Sequence, residues 1–130
     1  RAAREVYSAL QVAKMTAIRD NTAISVEFTA GTGQFGVYQV FEDLDNDDTF
    51  TAADRDIERG QMPPAVILSP AAGNANFFFG PNPNATAFSP MGLTTFPDGA
   101  VRNGTAQVTN TNGSRTHQVV VNTAGGVRVQ

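Results

Sequence analysis

At 130 residues, with 41% hydrophobic and 16% charged, the chain is long enough to bury one core and too apolar for a disordered tail. It has no cysteine, which excludes disulfides, thiol catalysis and cysteine metal sites, and no run of about 18 apolar residues to span a membrane. The net charge of −3 conceals an asymmetry: residues 42–58 carry eight acids and one base, −7, while the rest carries four acids and eight bases, +4.

Residues 1–19 place Val6, Leu10, Ala13 and Ala17 at steps of four, three and four, the apolar stripe of a helix laid on a core. Arg1, Ala2 and Ala3 supply no N-cap, and position 1 is not Met, so a helix that continued upstream is expected. The helix should end near Asp20-Asn21, with Asn in the left-handed C-terminal position and Arg19 favourable to the helix dipole.

Residues 24–29 alternate as a half-buried strand. Residues 30–33 read as a hairpin loop, and residues 34–41 as a second strand in which Phe35, Val37 and either Tyr38 or Val40 compete for the core face. After the acidic segment, residues 57–61 suggest a short strand stopped by Pro63-Pro64, and residues 65–68 a buried apolar run. Residues 76–79 suggest another strand, broken at Pro81 and Pro83. Phe88-Ser-Pro-Met-Gly92 reads as a strand end and turn. Residues 105–109 and 117–121 alternate around Asn110-Thr-Asn-Gly113 as a hairpin, and residues 127–129 form a last strand. One helix followed only by strands predicts an α+β fold: a single domain over 1–130, with helix 1–21 packed on antiparallel sheet from a β-rich part, 22–130.

The acidic segment matches a twelve-residue calcium loop, with Asp43, Asp45, Asp47 and Asp54 at positions 1, 3, 5 and 12. Thr49 would give its carbonyl at position 7 and Thr51 a hydroxyl or bridging water at position 9. Asp48 stands where glycine permits the sharp turn, and Asp54 is a shorter arm than Glu. The alternative is a solvated acidic turn, which Asp and Asn favour through local hydrogen bonds.

His117, the single histidine, reads as a surface strand residue, because only Ser114 is near and no acid would orient a nucleophile-base pair. No catalytic constellation appears, so an enzyme is not expected. Phe77-Phe78-Phe79 reads as core, with at least one ring left over for a subunit contact. Arg102, Arg115 and Arg128 are candidate phosphate contacts, but they are scattered rather than clustered.

In their order these segments resemble the minor pilins and pseudopilins of the GspH/FimT type, of bacterial type IV pili and type II secretion systems. The similar segments are Ser8-Ala-Leu-Gln-Val-Ala-Lys-Met-Thr-Ala-Ile-Arg-Asp-Asn21, with Lys14 where the family usually has Arg, the Phe88-Ser-Pro-Met-Gly92 turn, and the ending from Val119 to Val129 with its glycine turn. The Asp-rich insertion after Phe41 also fits. The resemblance implies a pilin-like fold with 1–21 as the C-terminal half of the long pilin helix and 22–130 as the head. It implies an upstream apolar segment, processed by a prepilin peptidase, that holds the subunit in the inner membrane facing the periplasm and then in the filament. Its partners would be other pilin or pseudopilin subunits. Val6, Leu10, Ala13 and Ala17 would lock helix to sheet. Some FimT-type members contact DNA through a Gly-Arg-x-Arg ending. Here Gly126 replaces the first arginine and only Arg128 is kept, so nucleic acid is not the expected partner. A DNA-binding minor pilin and a free-standing secreted calcium-binding β domain are the alternative readings.

Overall fold

The structure, a computed structural model, describes residues 2–44, 49–94, 96, 101–112 and 115–130. Helix α1 (Ala2–Asp20) is followed by strands β1 (Ile24–Thr29), β2 (Gly31–Thr32), β3 (Val37–Glu42), β4 (Arg55–Gln61), β5 (Val66–Pro70), β6 (Ala85–Phe88), β7 (Gly104–Asn110), β8 (Thr116–Val121) and β9 (Val127–Val129). The strands make two antiparallel sheets, ordered β4-β3-β1-β6 and β2-β5-β7-β8-β9. Helix α1 lies against both, touching β1, β3 and β6 of the first and β7, β8 and β9 of the second. This is the expected α+β arrangement, and residues 24–29 and 127–129 are strands as expected.

The helix buries its stripe as its spacing dictates. Val6, Leu10, Ala13 and Ala17 are fully buried, with Ala2, Ala3 and Ala9 beside them. Small residues along this seam let the helix axis approach the sheets closely. The helix stops where Asn21 takes φ 53°, the left-handed conformation Asn tolerates, and the Thr22 amide donates to the Ala17 carbonyl at 3.2 Å.

The connection after β1 differs from a simple hairpin loop. A single residue, Ala30, separates β1 in the first sheet from β2 in the second, where Gly31 pairs with Leu68 and Thr32 with Ile67. Residues 33–35, expected in part as the start of the second strand, form a tight 3-10 turn, and the chain rejoins the first sheet at β3. Phe35 is therefore exposed, while Tyr38 and Val40 both face the core. A β-bulge follows: Val40 pairs with Glu58 but Phe41 with Asp56. Beyond it Phe41, fully buried, packs edge-on against Phe50 at 5.4 Å, so β3 is covered on both faces.

Two further expectations are corrected. Residues 76–79 form no strand beyond one bridge, Phe78 to Gly104. Phe77 and Phe78 are both buried, each with its ring centroid 5.4 Å from that of Phe28, whereas Phe79 is exposed. Two adjacent buried rings are incompatible with the alternation of a strand that has one covered face. Gly104 makes room for them, since a Cβ there would meet the Phe78 ring at 2.6 Å. In the run 65–68 only Leu68 is fully buried. Ala65 is exposed at φ 65° in a turn closed by Val66 N–H donating to Pro63 O at 3.2 Å.

Candidate functional site

Helix α1 carries mixed charge at both ends, with Arg4 lining a cavity beside Glu5 and Glu58 near its N-terminus. At its C-terminal end the acidic loop is tied to the helix by Arg55. Its Nε donates to Glu42 Oε1 at 2.8 Å and its Nη2 to Asp20 Oδ2 at 3.2 Å, while Arg19 Nε reaches Asp20 Oδ1 at 2.9 Å. The Arg19 hydrogen bond, with Arg55 adding to it, holds the Asp20 carboxyl below its ordinary 3.8. Thr22 Oγ1 donates to the other Glu42 oxygen at 3.2 Å.

Within the loop, Asp54 acts on the backbone. Its Oδ1 accepts from Leu44 N–H and its Oδ2 from Thr51 N–H, each at 2.9 Å, so one carboxylate staples the two arms together. Asp56 Oδ1 accepts from the buried Gln39 amide at 2.6 Å. Thr49 Oγ1 accepts from Asn82, whose amide also reaches Glu27 Oε2 at 2.9 Å. Of the expected calcium ligands, Asp43, Thr49, Thr51 and Asp54 are described, and Asp45 and Asp47 lie outside the described residues. Among the described residues no group of three or more His, Cys, Asp or Glu side chains is placed to hold a metal.

At the N-terminal end α1 and the second sheet leave a groove of about 730 Å³. Ala3, Tyr7, Val127 and Val129 give it apolar lining, and Arg4, Ser8, His117 and Arg128 polar lining. With the Gln130 amide turned so that its oxygen faces the guanidinium, Arg128 donates to it at 2.8 Å. A second cleft of about 480 Å³ shares Ala3 and His117 and brings Arg115 alongside. Arg4 and Arg128 thus line one groove and Arg115 the other cleft, with His117 common to both. Arg4 went unremarked in the sequence because nothing local links it to β8 and β9.

Arg102 is not part of this surface. It is only 8% exposed, and its guanidinium lies 4.2 Å over the Phe96 ring. Its N–H and carbonyl are held by Thr94 and by Thr86 Oγ1. The three candidate arginines are therefore not brought together: Arg102 is buried, and Arg115 and Arg128 line different clefts.

The Phe88-Ser-Pro-Met-Gly92 turn and the glycine turn before β9 touch one another. Ser89 N–H donates to Leu93 O and Gly92 N–H to Ser89 O, both at 2.8 Å. Asn122 Oδ1 accepts from Ala124 and Gly126 N–H at 3.0 and 2.8 Å, folding the second turn on itself. Gly125, at φ 85°, lies so close to Gly92 O that no side chain fits between them. The turn also meets the helix, where a Cβ on Gly92 would lie 3.0 Å from Ile18 Cδ1. On the side of the helix away from the core Val12, Met15 and Ile18 are exposed, Met15 by 65%. Among the described residues no helix is long and apolar enough to cross a membrane.

One buried-faced helix on two antiparallel sheets, with its C-terminal turns stapled to an Asp-rich loop, defines a pilin-type head. The chain belongs to the GspH family: the model of "Type II transport protein GspH" matches residues 2–125. Among solved structures it is similar to the type IV minor pilin FimU of Pseudomonas aeruginosa in two crystal forms. One aligns at TM-score 0.64 with 13% identity, covering 99% of this chain and 85% of that one. The other aligns at TM-score 0.63 with 14% identity, covering 99% and 90%. At this identity the likeness is one of fold. No curated protein matches it by sequence.

Proposed function

We propose that the chain is the head of a minor pilin or pseudopilin that works by assembly into a type IV pilus or type II secretion pseudopilus rather than by catalysis. In this reading α1 continues upstream into the apolar segment that holds the subunit in the inner membrane, and the head faces the periplasm and then the filament. Its partners are other pilin subunits. The observation that supports it is the two-sided helix: Val6, Leu10, Ala13 and Ala17 are fully buried by the head, while Val12, Met15 and Ile18 remain exposed. A helix serving only its own core would leave polar residues on the outer side.

The absence of cysteine from these 130 residues makes an introduced thiol a usable probe of the head. Met15→Cys or Ile18→Cys in the full-length protein should react with a maleimide in unassembled subunits and be protected in sheared filaments. Equal labelling in both fractions, with the variant incorporated normally, would refute assembly through this helix.

A further inference from the structure

The outer side of the helix is extended by a turn from elsewhere in the chain. Val12, Met15 and Ile18 are exposed on it, and the Phe88-Ser-Pro-Met-Gly92 turn lies against Ile18 and Lys14. A Cβ on Gly92 would stand 3.0 Å from Ile18 Cδ1 and 3.3 Å from Lys14 Cε. Met91 leaves the turn one residue before that contact. It is 80% exposed, more than any other large apolar side chain among the described residues. Its backbone is nonetheless fixed. Ser89 Oγ accepts from Met91 N–H and from Leu93 N–H at 3.3 Å each, and Ser89 and Gly92 N–H are bonded within the turn at 2.8 Å. The fold therefore holds this apolar side chain out in water at a set place, which the packing of its own core does not require. Of the three methionines, Met15 and Met91 are exposed by 65% and 80%, whereas Met62 is buried to 2%. With no cysteine among the 130 residues, the Met15 and Met91 thioethers are the softest groups open to an oxidant.

We propose, on the assembly reading above, that Met15 and Met91 form a modification site for two-electron oxidants of the hydroperoxide class, and that their sulfoxides exclude the subunit from the filament. In each step the thioether sulfur gives a lone pair to one peroxide oxygen. The S–O bond forms as the O–O bond breaks. The proton on the transferred oxygen passes to the departing hydroxide, and water leaves. Sulfur loses two electrons and the peroxide gains them. The product is a polar, chiral group where a flexible apolar side chain stood. On the free head its oxygen is hydrated, so the fold does not suffer. Pressed against an apolar neighbour, that oxygen would give up its hydrogen bonds to water. Met62 is shielded by its burial, so the head keeps its core through the modification that makes its outer side polar.

The test exposes the chain to hydrogen peroxide and follows each methionine by peptide mass mapping. Met15 and Met91 should gain an oxygen roughly tenfold faster than Met62, and the melting temperature should barely move. Full-length subunits oxidised to this point should enter sheared filaments roughly tenfold less than untreated ones. Reduction by the two methionine sulfoxide reductases, one for each epimer, should restore them. Met15→Leu with Met91→Leu nearly keeps the volume and removes the sulfur, so its incorporation should survive the same treatment. Met62→Leu should stay as sensitive as wild type. Circular dichroism confirms that each variant is folded, and the two single leucine variants, each partly resistant, carry the test if the double variant does not assemble untreated.

Oxidised, folded subunits that incorporate like untreated ones would overturn the proposal. So would oxidation of Met62 as fast as Met15 and Met91, or a double leucine variant that peroxide still excludes. The two readings fail separately. Oxidised subunits that incorporate normally, with a protected Ile18→Cys in filaments, remove the modification and leave assembly intact. Incorporation lost on oxidation and restored by reduction, with an unprotected Ile18→Cys, would keep the modification and remove the helix as the contact.

Discussion

Leu10→Ala is the most direct probe of how the helix is held. Leu10 is fully buried beneath both sheets. Removing three carbon groups at about 0.8 kcal/mol each loses about 2.4 kcal/mol of transfer free energy. The strands on the far side are tied into their ladders and cannot collapse fully into the space, so a residual cavity adds about 1 kcal/mol. The expected loss is about 3.5 kcal/mol. In urea, at a slope of roughly 1.7 kcal/mol per molar, the midpoint should fall by about 2 M, and the melting temperature by roughly 10–15 °C. The opposite perturbation on the same seam, Ala13→Leu, inserts those groups where no space exists and should cost about 1–3 kcal/mol. Met15→Ala on the outer side should stay within about 0.5 kcal/mol. A Leu10→Ala loss below about 1 kcal/mol, or one matched by Met15→Ala, would show that the helix is not held by this stripe.

Gly125→Ala forces a side chain into positive φ against Gly92 O and should cost at least about 2 kcal/mol in chemical denaturation; a neutral result would mean the two turns do not touch. Ala65→Gly relieves a left-handed alanine and should be neutral or up to about 1 kcal/mol stabilising, despite the added freedom of the unfolded chain. Because the Asp20 pKa is lowered in the folded state, its contribution is present above pH 3.8 and is lost as the pH falls through the folded value. Asp20→Asn should therefore flatten the acid limb of the stability profile, and an unchanged limb would sink the pairing with Arg19 and Arg55. The calcium-loop reading of Asp43, Asp45, Asp47, Thr49 and Asp54 predicts a rise in melting temperature at millimolar calcium that Asp45→Ala abolishes. No rise, with Asp45→Ala equally stable, leaves the solvated turn.

Local signals carried the helix, its Asn21 stop, β1, the β7–β8 hairpin and β9. Each of these rests on periodicity or turn chemistry that acts within a few residues. The failures share a different cause. Gly31 and Thr32 are too few to show alternation, and they form a strand only because Leu68 and Ile67 lie opposite. Phe77 and Phe78 are buried together because Gly104 makes room for them and Phe28 receives both rings. Arg102 looked like a surface cation, but Phe96 and the Thr86 and Thr94 contacts hold it inside. The groove is the extreme case, since Arg4 and Arg128 are drawn together from opposite ends of the chain. The charge asymmetry, by contrast, was legible from the order of residues along the chain and became spatial once the loop proved to be tied to one end of the helix.

The one-residue passage at Ala30 has a mechanical consequence. Thr29 ends a strand of the first sheet and Gly31 begins one of the second, so their Cα atoms can separate by no more than about 7.6 Å. A pull that tries to open the two sheets at this edge is borne by two peptide units in tension, not by side-chain packing. The sheets should yield to load elsewhere first, where longer connections such as residues 62–65 join them.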